Sequence, residues 1–293
     1  MNPAAGCLLP LAPWTARIVG VFGKAVSLLH PDGALVSVVS RAEHLEARAM
    51  MPASGWDAFA AGMAHALDAA ARDEFALATW DGARLVGAHG TTLDLAGCET
   101  WDPRPTLAGL ASGPDKMMWS AVADRLMDML FMAHAATGTD EGILGDGAIA
   151  RAFAARLCST RFPVCIVGFG PGTTPSGDDW IAGYLCAADS VSGAPGQAVP
   201  GFRGAIRQAL DRTTAAGRSL LLGAIAGVAP AYLVRLAEGA AALARALGRD
   251  SEQAASEAET LVAAALDAAL RHGATSGEDA LLGFVAGLRE HRA

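Results

Sequence analysis

Two acidic helix starts are the residues of this sequence best suited to chemistry. The segment Ser176–Tyr184 (SGDDWIAGY) recurs one hundred residues later as Ser276–Phe284 (SGEDALLGF), so both follow the pattern Ser-Gly-acid-Asp-x-aliphatic-x-Gly-aromatic. A Ser-x-x-Asp sequence before an apolar run is typical of a helix N-terminus, where the hydroxyl and the carboxylate cap backbone amides. Gly183 and Gly283 each follow the conserved aspartate by four residues, which favours two capped helices that cross at facing glycines about an approximate two-fold axis. This packing alone explains every repeated residue without any ligand.

The first copy is preceded by more glycine than a helix cap requires. Its loop, residues 168–175 (GFGPGTTP), has glycine at three alternate positions, which indicates that something approaches the backbone closely. The predicted order of strand, glycine-rich loop and helix start exposes amides that bind anions. The substrate- or phosphate-binding candidates are Gly170, Gly172, Thr173, Thr174, Ser176, Gly177, Ser276, Gly277 and Asp279. No Walker A or dinucleotide-binding fingerprint is present.

The acidic side chains predict a different kind of partner from the amides. Asp178 and Asp179 are the candidate catalytic residues, because carboxylates orient an amide NH2 or an ammonium group. Alternatively, Asp178, Asp179, Glu278 and Asp279 form a shared Mg2+ or Mn2+ site, since carboxylates without thiolates suit a hard cation. Arg212 is a candidate clamp for a carboxylate or phosphate, as is Arg218. The alternative for both is an ordinary surface arginine.

Composition bounds the class of protein. Lys and Arg number 22 against 30 Asp and Glu, a net charge of -8, which argues against nucleic acid as a partner but permits a small anionic or carbamoyl substrate. Five scattered cysteines without a CxxC pair favour reduced thiols. The N-terminus lacks the features of a signal peptide, and the apolar stretches are interrupted by glycine and proline. We therefore expect a cytoplasmic protein that does not contact a membrane.

The predicted fold is α+β, with a β-rich domain at 1–105 and a mainly helical domain at 106–293. Pro-Asp-Gly and Asp-Gly turns predict two hairpins. Their strands are predicted at 25–29 with 34–39 and at 75–80 with 83–88, followed by a short strand at 91–95. Helical periodicity predicts a helix at 56–72 across a small, curved, largely antiparallel sheet or partial barrel. Two close prolines, Pro103 and Pro105, mark the boundary. Helices are predicted at 115–136, 147–157, 177–188, 202–215, 218–227, 231–247, 251–271 and 278–290, with one strand at 163–168.

The run Gly168–Gly183 resembles the signature Gly-x-Gly-Pro-Gly-x-Thr-Pro-Ser-Gly-Asp-Asp-x-x-x-Gly of a bacterial domain family. The stretch Leu93–Pro103, the threonines near Thr213 and the segment from His272 to Asp279 are also similar to that family. It includes the third subunit of the catabolic oxamate carbamoyltransferase of allantoin (purine nitrogen) degradation. The resemblance implies a transferase role in a complex with two other carbamoyltransferase subunits. That enzyme converts oxalurate and phosphate to oxamate and carbamoyl phosphate.

Three functions fit these observations. The first is a carbamoyltransferase subunit whose loop, residues 168–179, binds substrate and acts by positioning and electrostatic stabilisation, since no nucleophile–base pair is visible. The second is a Mg2+-dependent enzyme that uses the paired acidic helix starts. The third is a non-catalytic assembly or regulatory subunit.

Overall fold

The chain forms two compact units, Met1–Asp102 and Pro103–Ala293. The structure is a computed structural model that describes residues 2–70, 76–87, 90–112, 116–137, 142–249 and 252–290. The predicted α+β fold is confirmed, because a β-sheet occupies the first unit and helices dominate the second. None of the helices in the described ranges has the length and apolarity that a membrane span needs.

The first unit is built on one mixed sheet of nine strands within its described residues, in the order β8-β7-β6-β2-β3-β4-β5-β1-β9. All neighbouring pairs are antiparallel except β4 with β5 and β1 with β9. The strands are β1 Ala4–Gly6, β2 Trp14–Val21, β3 Ala25–Leu29, β4 Leu35–Val39, β5 Ala49–Met51, β6 Leu77–Trp80, β7 Arg84–Val86, β8 Thr92–Asp94 and β9 Glu99–Trp101.

Both predicted hairpins are confirmed. The first pairs Ala25 with Val39, and the second pairs Trp80 with Leu85. Helix α1 (Trp56–Ala70) packs Phe59 and Met63 against the buried face of the sheet, as its periodicity predicts. Residues 71–75 and 88–89, where predicted ends of the helix and strands fall, lie outside the described residues.

The second unit consists of helices and the loops that join them, within its described residues. Its helices are α2 Arg104–Leu110, α3 Lys116–Thr137, α4 Ala148–Leu157, α5 Ser176–Ser192, α6 Pro200–Arg207, α7 Ala215–Ile225, α8 Ala231–Leu247, α9 Glu252–Leu270 and α10 Ser276–Glu290. Two predictions are wrong here. The segment predicted as a strand at 163–168 holds a short 3-10 helix, Val164–Ile166, and the helix predicted at 202–215 ends at Arg207, before a separate 3-10 turn at Leu210–Arg212.

Helices α5 and α10 cross where the sequence repeat places its glycines. A Cβ atom added at Gly183 would lie 2.8 Å from the carbonyl carbon of Ala280, and one at Gly283 would lie 2.7 Å from that of Trp180. The two contacts are equivalent under the one-hundred-residue offset, so each copy of the motif packs on the other reciprocally. The backbones touch because neither position carries a side chain. This crossing brings the two acidic helix starts together.

Candidate functional site

The glycine-rich loop presents its tip to the outside. Gly168, Gly170 and Gly172 have φ values of +71°, +107° and +95°, a left-handed backbone that favours glycine. The tip, residues 171–173, is exposed. Among the described residues, none accepts a hydrogen bond from the amides of Gly170, Gly172, Thr173 or Thr174. The loop therefore offers backbone donors to a molecule outside the fold.

The start of α5 itself is closed. The amide of Gly177 donates to Phe169 O at 2.8 Å, and the amides of Asp178 and Asp179 donate to Pro175 O at 2.8 and 3.2 Å. The sequence prediction of open amides at this helix start is therefore wrong. The predicted capping box is wrong as well, because the N-cap is Pro175 and Ser176 is already the first helical residue. The donors that remain open lie up to seven residues earlier, on the loop.

Asp178 ties the base of the loop to a neighbouring segment. Its Oδ1 accepts from the Gly168 amide at 2.9 Å, and its Oδ2 accepts from the Thr213 hydroxyl. Burial raises the pKa of Asp178 to about 6, against the opposing effect of these two hydrogen bonds. Gly217 lies against the same carboxylate and leaves no room for a side chain. Asp178 is therefore placed to hold the loop and not to reach its tip.

Asp179 and Asp279 lie at the contact between the two copies of the motif. Both are buried, and neither Oδ2 atom has a hydrogen-bond partner among the described residues. Burial raises the pKa of Asp179 well above its ordinary value; the Ser276 hydroxyl opposes this shift, and the nearby Asp279 carboxylate adds to it. Burial also raises the pKa of Asp279, opposed by the Ile143 amide that donates to its Oδ1 at 2.9 Å. These carboxyl groups hold protons more tightly than free aspartates do.

Hydroxyl groups join the loop to the second helix start. Thr174 Oγ1 and Ser276 Oγ are 2.9 Å apart and share a hydrogen bond. The Ser176 hydroxyl is buried and close enough to Asp279 to lower its pKa, without meeting the geometry of a hydrogen bond. Gly277 is buried against the end of α9, at the carbonyl group of Ala269. The second copy of the motif thus contacts the loop from the interior of the unit, through the hydrogen bond between Ser276 and Thr174.

The four carboxylates do not converge on one point. Glu278 Oε1 lies 2.6 Å from His134 Nδ1, and burial raises its pKa while His134 opposes the shift. Asp178 faces Thr213, so two of the four acids are turned to other partners. Within the described ranges, no group of three or more His, Cys, Asp and Glu side chains is placed to hold a metal ion. The structure therefore does not assemble the predicted Mg2+ site.

Two arginines lie close to the loop although the chain is acidic. Arg212 is exposed and donates from Nη1 to Val164 O at 2.8 Å, and its neighbour Thr214 donates to Thr173 O. The guanidinium of Arg156 lies 4.3 Å above the ring centroid of Phe169. Arg212 and Arg156 therefore place positive charge close to the loop, which suits an anion.

The predicted site residues thus fall into two groups. The loop brings Gly170, Gly172, Thr173 and Thr174 together at the surface, with Arg212 beside them. Ser176, Gly177, Asp178, Asp179, Gly277 and Asp279 are buried behind it, and Ser276 is half-buried. Arg218 is half-buried on α7, and no side-chain hydrogen bond or ion pair of the described residues joins it to the loop.

Sequence reasoning missed Arg156 and the pairing of His134 with Glu278. These partners come from α3 and α4, and no local pattern marks them.

The fold and this site describe an α+β protein with a surface glycine loop braced by a duplicated acidic helix start. Residues 166–288 match the family described as oxamate carbamoyltransferase subunit AllH. The matched segment is less than half of the chain, but it holds the loop and both copies of the motif, and over this segment the chain is similar to that family. No curated protein and no solved structure matches the chain.

Proposed function

We propose that this chain is a subunit of a carbamoyltransferase complex of the oxamate carbamoyltransferase type, and that its glycine loop binds the anionic part of the substrate. The family match supports the first half of this proposal. The observation that carries the second half is the exposed loop tip, whose amides make no hydrogen bond within the described residues and which has the exposed Arg212 nearby.

The chemistry of the loop favours a carboxylate or a phosphate group. Backbone amides in a left-handed glycine loop form a concave set of donors, and they bind oxygen anions without a charged side chain. Arg212 retains guanidinium donors beyond the one that holds Val164 O. Oxalurate carries a carboxylate and phosphate is itself an anion, so either co-substrate of the transfer reaction suits this surface. The loop then acts by positioning and by stabilising negative charge.

The buried acids act indirectly in this proposal. Asp178 and Asp179 are positioning residues, because their carboxylates point into the protein and hold the loop base and the second repeat. A carbamoyl group at the loop tip would meet hydroxyls and amides, with Thr173 the exposed hydroxyl there. In this proposal the two aspartates therefore do not orient the carbamoyl nitrogen directly, in contrast to the role that the sequence suggested for them.

Steady-state kinetics of the co-expressed complex test the proposal. Arg212→Gln removes one charge-assisted contact, so KM for the anionic co-substrate should rise about tenfold or more with a smaller change in kcat. Arg212→Lys keeps the charge and should recover part of the loss. Arg271→Gln is the matched control, because Arg271 is exposed and lies beside α9, and it should leave KM unchanged.

A second substitution tests the backbone of the loop. At Gly172 an added Cβ would have room, with its nearest neighbour at 3.7 Å, but its φ of +95° would strain alanine. Gly97→Ala is the control, since Gly97 has φ +69° and open space in the first unit. If Arg212→Gln and Gly172→Ala both leave the complex fully active, the chain is a non-catalytic assembly subunit and the loop proposal is refuted.

A further inference from the structure

The second unit contains a cleft whose chemistry does not match that of the glycine loop. The cleft has a volume of about 700 Å³ and lies between α4, α5 and α10, with one residue of α3. We call it the α4–α10 cleft. Its lining is Met127, Ile143, Ala150, Phe153, Ala154, Leu157, Phe162, Trp180, Tyr184, Leu282, Ala286, Arg289 and Glu290.

The polar groups of the α4–α10 cleft are already paired. The Tyr184 hydroxyl donates to Glu290, and Arg289 Nη2 lies 2.8 Å from Asp124 Oδ1. The remaining lining is aliphatic or aromatic. A small polar anion such as oxamate or phosphate would lose its hydration there and would find only the remaining donors of Arg289 as partners. The cleft therefore suits an apolar occupant.

The floor of the cleft contacts the back of the glycine loop. The ring of Phe153 lies 5.7 Å from that of Phe169 in the loop and 5.9 Å from that of Trp180 in the cleft, measured between centroids. The guanidinium of Arg156 also lies over the ring of Phe169. An occupant of the cleft would therefore press on the element that carries the loop.

Apolar side chains at the rim extend this surface. Leu157 is 38% exposed, and Phe131 is 51% exposed one helical turn after Met127. The flanks of α4 carry Arg151 and Arg156, which are cations in a chain of net charge -8. Glu290 in the same cleft and Asp124 beside it already have partners in Tyr184 and Arg289, so the positive charge on the flanks of α4 is complementary to an acidic partner.

We propose that the α4–α10 cleft binds an apolar segment, flanked by acidic side chains, of one of the other carbamoyltransferase subunits. This rests on the proposed function, since it names the surface through which such a complex forms. The partner then lies beside the glycine loop, and its docking fixes Phe153 and, through it, Phe169. The substrate site is completed where the two subunits meet.

A pair of matched substitutions tests the docking surface. Leu157 and Leu247 are each the last residue of their helix and are each 38% exposed, but only Leu157 lines the cleft. With the chain and both other subunits co-expressed, Leu157→Arg should weaken association in sedimentation velocity by about 30-fold or more. Leu247→Arg should leave it unchanged. Equal effects of both substitutions, or no effect of Leu157→Arg, would overturn the proposal.

Cysteine labelling of the unmodified protein gives a second test that needs no substitution. Cys158 directly follows Leu157 and is the exposed one of the five cysteines, while the others are buried or half-buried. Its rate of reaction with maleimide should fall at least tenfold in the complex. Unchanged labelling in an assembled, active complex would refute the docking surface and leave the proposed function standing. If the wild-type chain does not associate with the two subunits at all, the proposed function fails and the docking surface fails with it.

Discussion

The reciprocal glycine contact between α5 and α10 makes a sharp prediction about stability. Gly183→Ala adds a methyl group 2.8 Å from the carbonyl carbon of Ala280 and 2.9 Å from the amide nitrogen of Phe284. Ordinary contacts of this kind are 3.4–4 Å. Both obstructing atoms belong to the backbone of α10, so no side-chain rotation can relieve the overlap. The helices must move apart by at least the difference between these distances and an ordinary contact. The buried Asp179 and Asp279 behind the loop then lose their close packing.

The size of the effect follows from two opposing terms. Overpacking costs about 1–3 kcal/mol and occasionally more, and rigid backbone on both sides places this site at the upper end of that range. Alanine gains about 1 kcal/mol of helix propensity over glycine. The net loss in free energy of unfolding should therefore be at least about 2 kcal/mol. Gly283→Ala should behave alike, and the double substitution should cost less than the two together, because one displacement relieves both overlaps.

Urea unfolding followed by far-ultraviolet circular dichroism measures this loss, since most helix lies in the second unit. Gly204→Ala is the control, because Gly204 is in α6 and a Cβ there meets nothing within 4 Å. That substitution should be neutral or stabilise by up to about 1 kcal/mol. A Gly183→Ala protein as stable as the Gly204→Ala protein would refute the close crossing of α5 and α10.

Three further predictions concern buried charges. The pKa of Asp178 is raised from 3.8 to about 6, so its contribution to the free energy of unfolding is fully present below pH 4 and is lost as the pH rises through 6. The total loss should be up to about 3 kcal/mol. Asp178→Asn should flatten this part of a profile of stability against pH. Thr213→Val removes a hydrogen bond to the charged form, and should move the midpoint of that loss to higher pH. Arg203→Leu strands the buried Asp189 carboxylate, and should cost about 3–5 kcal/mol in urea unfolding, with partial recovery when Asp189→Asn is added.

Local signals predicted the elements whose structure depends on near neighbours. The Pro-Asp-Gly and Asp-Gly turns predicted both hairpins, because such turns and the strands they join are set within a few residues. The repeat predicted the crossing of α5 and α10, since glycine at matched positions has a packing reason that can be read from spacing alone. The strand β2 was missed: its alternation of buried and exposed residues includes small residues such as Ala16 and Gly20, which give a weak apolar pattern.

The errors at the site have a common physical cause in long-range contacts. Apolar residues at 163–168 suit a strand or a buried turn equally, and the turn forms because the Gly177 backbone packs on Ile166 and its amide pairs with Phe169 O. The same fold-back satisfies the amides that seemed available for an anion. Which partner Glu278 takes is decided by His134, 144 residues earlier in the chain. No spacing rule carries that information.

The distance along the chain between the two repeats constrains when the site can form. At a synthesis rate of roughly 5–20 residues per second, α5 leaves the ribosome about 5 to 20 s before α10. Throughout that interval the glycine face of α5 cannot pack against α10, and the hydrogen bond between Thr174 and Ser276 cannot form. A nascent chain is thus a candidate for chaperone binding at this face. The proposed substrate binding therefore requires that both repeats have been synthesised, and a chain interrupted between them would bind no substrate.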